Sequence, residues 1–252
     1  MRDRYDAIYL SPHLDDVVLS CGGQIFQRTR AGQSVLVLTT MAPETIPPPP
    51  SEHAAIFLKR CGLEKGGGLT RRREDEAACR RLGAESIHDG LWEGASRRDA
   101  SGAALYPTHA SMFGAVRADD DPLREKLVAR LAGLPPTGAM IAPLGVGGHV
   151  DHQLVRQAAE QVFGTALRYY EDYPYANKFG AVRPYVQPRR EWAAERIRLD
   201  REAFQARYEA VMSYASQVGL LFNGAHTVRW KLRAYIWRVG GERLWRKRVP
   251  AA

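Results

Sequence analysis

Two short clusters hold the side chains best suited to chemistry: Ser11-Pro12-His13-Leu14-Asp15-Asp16 and, far along the chain, His149-Val150-Asp151-His152. Imidazole nitrogen and carboxylate oxygen together suit zinc, and a catalytic zinc usually keeps three protein ligands and one open position. His13, Asp16 and His152 supply such a set. Asp15 and His149 then stand unligated beside the open position, where hydrolysis needs a base and an acid. Aspartate is also favoured at helix starts, so the first cluster alone reads equally well as a polar turn capping a helix. The second cluster, in the same kind of setting, favours a shared metal ion.

The flanking segments define that setting. Ala7-Ile8-Tyr9-Leu10 and Ala139-Met140-Ile141-Ala142 are short apolar runs, and each cluster leads from such a run into a helical pattern. Val18, Cys21, Gly22 and Ile25 fall at helical spacing after the first; Leu154, Val155, Ala158, Ala159 and Val162 do so after the second. Both clusters therefore lie where a strand ends and a helix begins. In an open α/β sheet this is where ligands bind. Ser34–Thr40, Ser86–Leu91 and Ala166–Tyr170 read as further strands, and Arg71–Gly83 as a helix. The expected fold class is α/β: a Rossmann-like, mostly parallel sheet flanked by helices, with the site at the C-terminal ends of its strands.

Pro-His-Leu-Asp-Asp at 12–16 and His-Val-Asp-His at 149–152 resemble the signature of the zinc-dependent N-deacetylases of the LmbE-like, or PIG-L, family. The resemblance continues through Arg71–Gly83, Tyr169-Tyr170-Glu171-Asp172-Tyr173-Pro174-Tyr175 and Tyr214-x-Ser216-Gln217. It departs at Leu14 and Val150, where proline is common in the family, and at Val17, where glutamate is common; none is a ligand position. The resemblance implies hydrolysis of an N-acetyl or related acyl group on an amino sugar or glycoconjugate, giving acetate and a free amine. Zn²⁺ is the implied metal, and Fe²⁺ or Co²⁺ could occupy the same ligands. Asp15 would be the base, zinc and a protonated His149 would stabilise the oxyanion, His149 or Asp15 would protonate the leaving amine, and Asp151 would orient His149 or cap the helix. Arg71 is implied as a substrate contact. Asp89, at the end of its strand, is a candidate partner for a sugar hydroxyl. Two other classes use the same residues: a metal hydrolase acting on a phosphoester, and a non-catalytic metal- or anion-binding protein.

With 45% apolar and 25% charged residues over 252 positions, the chain is expected to be globular, as a single domain from 1 to 252. Met1–Asp6 show no signal-peptide pattern, and no apolar run approaches the ~18 residues that would span a bilayer. The three cysteines, Cys21, Cys61 and Cys79, show no Cys-x-x-Cys spacing. Reduced thiols and a cytoplasmic location are expected. Pro47–Pro50 reads as a loop able to wall the crevice, His53 as a surface residue, Gly62–Gly68 as a loop and Trp92–Ala118 as an insertion. Glu191–Ser216 reads as one long charge-laced helix. Most of the net charge of +8 falls at about 226–252, where eight Lys or Arg residues face one Glu. Trp230, Tyr235, Trp237 and Trp245 lie among them. Such a segment can bind an anionic surface or single-stranded nucleic acid, or pack on the domain with its arginines reaching water. Packing is the favoured reading, with no nucleic-acid partner.

Overall fold

Strand β1 (Ala7–Ser11) and strand β2 (Val35–Thr39) are buried at every residue. Strands covered on both faces need no polar alternation, and such runs belong to parallel sheets sandwiched by helices. The computed structural model, which describes residues 1–45, 52–61 and 66–248, has this architecture. The proline run 47–50, the segment 62–65, the side chain of His53 and residues 249–252 lie outside what is described.

Helix α1 (Asp16–Arg30) joins β1 to β2. Helices α2 (Glu52–Cys61) and α3 (Gly67–Arg81) precede β3 (Glu85–His88), so Gly67 and Gly68 open a helix instead of belonging to the expected loop. A one-turn α4 (His109–Met112) and α5 (Asp121–Ala132) lead to β4 (Met140–Pro143), α6 (Val150–Phe163) and β5 (Arg168–Tyr170). Then come β6 (Trp192–Ile197), α7 (Arg201–Met212), α8 (Ala215–Phe222), α9 (Val228–Val239) and β7 (Glu242–Lys247). The sheet order is β3-β2-β1-β4-β5-β7-β6. The first five strands are parallel, and β7 runs antiparallel to both β5 and β6. The chain steps outward from β1 to β2 and β3, then returns to place β4 on the other side of β1. Their shared border is the point of reversal where such sheets bind ligands.

Two expectations are corrected. Glu191–Ser216 is not one helix: its first part is edge strand β6, followed by α7 and the start of α8. Glu195 and Arg196, which look like a solvated helix face, are exposed on that edge, where charge discourages pairing with another chain. Strand β6 is specified by β7, a partner distant in sequence, so no local pattern announces it. The C-terminal segment packs as expected, but by more than a helix, since β7 is an interior strand joining β5 to β6.

That segment also reaches helix α1. Glu242 on β7 accepts hydrogen bonds from the Gly23 and Gln24 backbone N–H groups at 2.9 and 2.8 Å. Arg207 on α7 donates to the Leu19 carbonyl, which would ordinarily accept from Gly23, and sits 3.3 Å from Glu242. Both charged side chains are fully buried. A Cβ on Gly22 would lie 3.0 Å from Arg207, and one on Gly23 2.4 Å from Leu199 and 3.0 Å from Glu242. The glycine pair thus admits this ion pair to the helix backbone.

Candidate active site

The end of β1 and the start of α1 present His13, Asp15 and Asp16; the turn from β4 into α6 presents His149, Asp151 and His152. Gly147, at φ +97°, shapes the second turn, and a Cβ there would lie 2.8 Å from the Tyr175 ring. Among the described residues, ring nitrogens of His13, His149 and His152 lie within 4.8 Å of one another.

Asp16 stands between two of these rings. Its Oδ2 is 3.1 Å from His13 Nδ1 and 3.3 Å from His152 Nε2. Donor atoms sharing one tetrahedral ion at ~2.0 Å are spaced about 3.3 Å apart, and both of these contacts have that spacing. His152 Nε2 is buried and makes no hydrogen bond. Its other nitrogen, Nδ1, contacts Asp172 Oδ1 at 2.7 Å, the outer carboxylate that commonly fixes the tautomer of a metal-binding histidine. His13 has the same arrangement, with Nε2 2.8 Å from Asp151 Oδ2 and Nδ1 turned toward Asp16. A buried imidazole nitrogen with no partner, its opposite nitrogen fixed by a carboxylate, suits a divalent cation.

The electrostatics agree. Burial opposes ionisation of Asp16, yet His152 and His13 hold its carboxyl well below the usual range. Burial likewise works against protonated His152, but Asp16 and Asp172 outweigh it and raise the imidazole to about 9. Burial also opposes charge on His13, and its bonds to Asp151 and Asp16 raise it. The carboxylate field thus holds positive charge at the two imidazoles, and a metal would displace those protons on binding.

Asp15 behaves differently from its neighbour. It has φ 147°, a conformation rare outside glycine, and its carboxylate does not cap α1. Such strain is characteristic of functional turns, and the simple helix-cap reading fails for this residue. Burial, reinforced by Asp16, raises its carboxyl well above the ordinary value, against Arg71 and His13. Adjacent carboxyls whose environments push them apart are suited to different tasks.

Asp151 and His149 require correction. The Asp151 carboxylate is directed to His13 and not to His149: its Oδ2 is 2.8 Å from His13 Nε2 and 3.9 Å from His149 Nδ1. His149 Nδ1 instead accepts the Asp151 backbone N–H at 3.2 Å, which leaves the neutral ring's proton on Nε2. Burial holds His149 well below its ordinary value and so disfavours the protonated imidazole that the resemblance implies. Phe113 packs edge-on against it at 5.1 Å.

Asp151 belongs to a larger buried network that sequence reading missed. Arg97 Nη1 meets Asp151 Oδ1 at 2.5 Å, and Gly94 N–H donates to Asp151 Oδ2 at 2.9 Å. Arg97 also pairs with Asp120, at 2.8 Å from Nε and 2.9 Å from Nη2, and Tyr106 donates to Asp120 at 2.8 Å. Burial opposes ionisation of Asp151, but Arg97 and the histidines hold it well below the usual range. The 92–118 segment is thus built into the site, with Leu105, Tyr106 and Met112 packing on Val150 at the start of α6. No local sequence signal marks Arg97. Asp172 had one, since it follows the end of β5 within the stretch that carries the family resemblance.

These groups open into a cavity of about 210 Å³ lined by polar residues including Asp15, His149 and Arg71 and by apolar Leu19, Met112, Phe113 and Tyr175. Arg71 is buried and paired with Glu93. Asp89 is not among the lining residues; both its oxygens are 3.0 Å from Arg130 Nε. The carboxylate is therefore taken by a neighbouring helix and is not displayed to a sugar.

The family model described as PIG-L, GlcNAc-PI de-N-acetylase, matches residues 8–163. A 2'-N-acetylparomamine deacetylase of Streptomyces fradiae is 31% identical over 180 residues, covering 69% of this chain and 59% of that protein. The enzyme of the same name from Niallia circulans is 26% identical over 190 residues, covering 69% of each chain. Across 98% of this chain and 100% of the other, the zinc-inhibited form of a teicoplanin deacetylase superposes with a TM-score of 0.78 at 26% identity.

Proposed function

Since the chain belongs to the PIG-L (GlcNAc-PI de-N-acetylase) family, we propose that it is a zinc-dependent N-deacetylase acting on an N-acetylated amino sugar or a glycoconjugate that carries one. The observation carrying this reading is the convergence of His13 Nδ1, Asp16 Oδ2 and unpartnered His152 Nε2 beside Asp15, in a cavity open to ligand. The S. fradiae and N. circulans relatives, named for an N-acetylated aminoglycoside, and the teicoplanin deacetylase support the substrate class.

His13, Asp16 and His152 would hold the metal. When bound, zinc supplies a Lewis acid that polarises the amide carbonyl and acidifies water. Asp15 takes a proton from the attacking water, and burial with Asp16 beside it raises its carboxyl, which makes the carboxylate a stronger base. The His149 Nε2–H donates to the carbonyl oxygen as negative charge develops there. Neutral imidazole is competent for this because Nδ1 accepts the Asp151 backbone N–H, which keeps the ring proton on Nε2. The carbon–nitrogen bond breaks, and the proton held on Asp15 passes to the leaving amine, giving acetate and a free amino sugar. Asp151 and Asp172 keep His13 and His152 in their ligating tautomers.

Acetate release from N-acetylglucosamine and N-acetylated aminoglycosides tests this function. Chelation should abolish release, and stoichiometric zinc should restore it; one relative is known in a zinc-inhibited form, so excess zinc is a poor test. Release unaffected by complete metal removal would overturn the proposal, as would a metal-loaded protein that cleaves phosphoesters but no N-acetyl amide.

A further inference from the structure

Stretches 173–190 and 226–241 contain eight Lys or Arg residues and no Asp or Glu; the rest of the chain has 28 basic and 28 acidic residues. The net charge of +8 therefore resides in these two stretches. Among the described residues, none of their cations (Lys178, Arg183, Arg189, Arg190, Arg229, Lys231, Arg233 and Arg238) forms an ion pair, although many basic residues elsewhere do. The stretches adjoin in space: Arg238 Nη2 donates to the Ala176 carbonyl at 3.1 Å, and Lys178, Phe179, Arg183, Arg189 and Arg238 line one open cavity.

The same two stretches carry exposed aromatic side chains. Phe179 is 99% exposed, Trp237 88% and Trp230 58%. On α9, Val228, Leu232, Tyr235 and Val239 are buried, while Trp230, Arg233 and Trp237, at i, i+3 and i+7, are exposed. Three large exposed aromatics among unpaired cations combine apolar anchors with positive charge, the composition of a surface that lies in a lipid interface. Anionic headgroups attract the cations over a Debye length, and the rings enter the headgroup–acyl boundary.

We propose that this face docks on an anionic lipid bilayer as a peripheral membrane surface. The active site lies beside it: Pro174 and Tyr175 line the catalytic cavity only a few residues before Lys178.

Co-sedimentation of the full chain with phosphatidylcholine vesicles, with and without phosphatidylglycerol, tests the proposal. Binding should require the anionic lipid, weaken with salt and shift tryptophan emission to the blue. A basic residue facing such a surface contributes about a factor of five in binding. The charge reversals Arg183→Glu with Arg233→Glu should therefore weaken vesicle binding at least ~10-fold. Trp230→Ser with Trp237→Ser should abolish the blue shift, and both variants should keep wild-type circular dichroism. Three results would each overturn the proposal: equal binding with and without phosphatidylglycerol, binding to oligonucleotides but not vesicles, or a dimer in solution that covers Trp237. Because the readout is lipid binding and not deacetylation, its failure is separate from failure of the proposed activity.

Discussion

Asp151→Asn is the sharpest test of how the site holds its metal. The carboxylate is fully buried and receives His13 Nε2 and Gly94 N–H on one oxygen and Arg97 Nη1 on the other. An asparagine amide has one accepting oxygen and one donating nitrogen, so it cannot serve both sides. If the oxygen faces His13 and Gly94, the NH₂ group points at a guanidinium, and a charge-assisted hydrogen bond worth about 1.5–3 kcal/mol is lost. If the NH₂ group faces His13, that ring must carry its proton on Nδ1, the nitrogen next to Asp16 that is to bind metal. Either way the negative charge that makes His13 a better ligand is gone. Loss of such an outer partner typically costs 10–100-fold in metal affinity, or about 1.4–2.7 kcal/mol. Zinc competition against a chromogenic chelator measures the affinity, and thermal unfolding of the metal-free protein measures the structural part. Asp151→Asn binding zinc within about 2-fold of wild type would refute the reasoning, since an outer partner of a ligand is worth at least ~10-fold. His149→Ala is the control and should lower turnover while leaving zinc affinity nearly intact.

Asp15→Asn should retain zinc and fold but lose at least ~10²-fold in turnover, whereas Asp16→Asn should weaken zinc binding; stoichiometry and rate measured on both variants will show whether base and ligand are correctly assigned. Removing Arg207 alone, as Arg207→Leu, leaves Glu242 an uncompensated buried charge and should cost about 3–5 kcal/mol in urea unfolding. Replacing both, Arg207→Leu with Glu242→Leu, should recover part of that loss because no buried charge is left without its partner; no recovery would argue against the ion pair as the source of the loss. Truncation before His226 removes β7 from between β5 and β6 and should leave the protein without a cooperative thermal transition, which calorimetry would detect.

The clusters, the strands they end on and the α/β class were legible from sequence because each is local. A buried parallel strand is an apolar run, a helix has a 3.6-residue period, and His-x-Asp-Asp with His-x-Asp-His is a dense enough set of ligand types to suggest a metal. Even the pairing of clusters followed from their shared position at strand ends. Tertiary structure decided which atom faces which. Asp151 sits two residues from His149 and was assigned to it, yet folding brings His13 within 2.8 Å of the carboxylate and leaves His149 only the backbone N–H. Arg97 became part of the site because the 92–118 segment folds back onto α6, with Asp120 beyond it as a second partner, and Asp89 is paired with Arg130 instead of lining the cavity. Strand β6 had no local signature because its hydrogen-bonding partner, β7, comes from the end of the chain. Sequence spacing fixes which chemical groups are available and on which element; distances between elements are set by how their buried faces pack, and hydrogen bonds form across those distances without regard to separation along the chain.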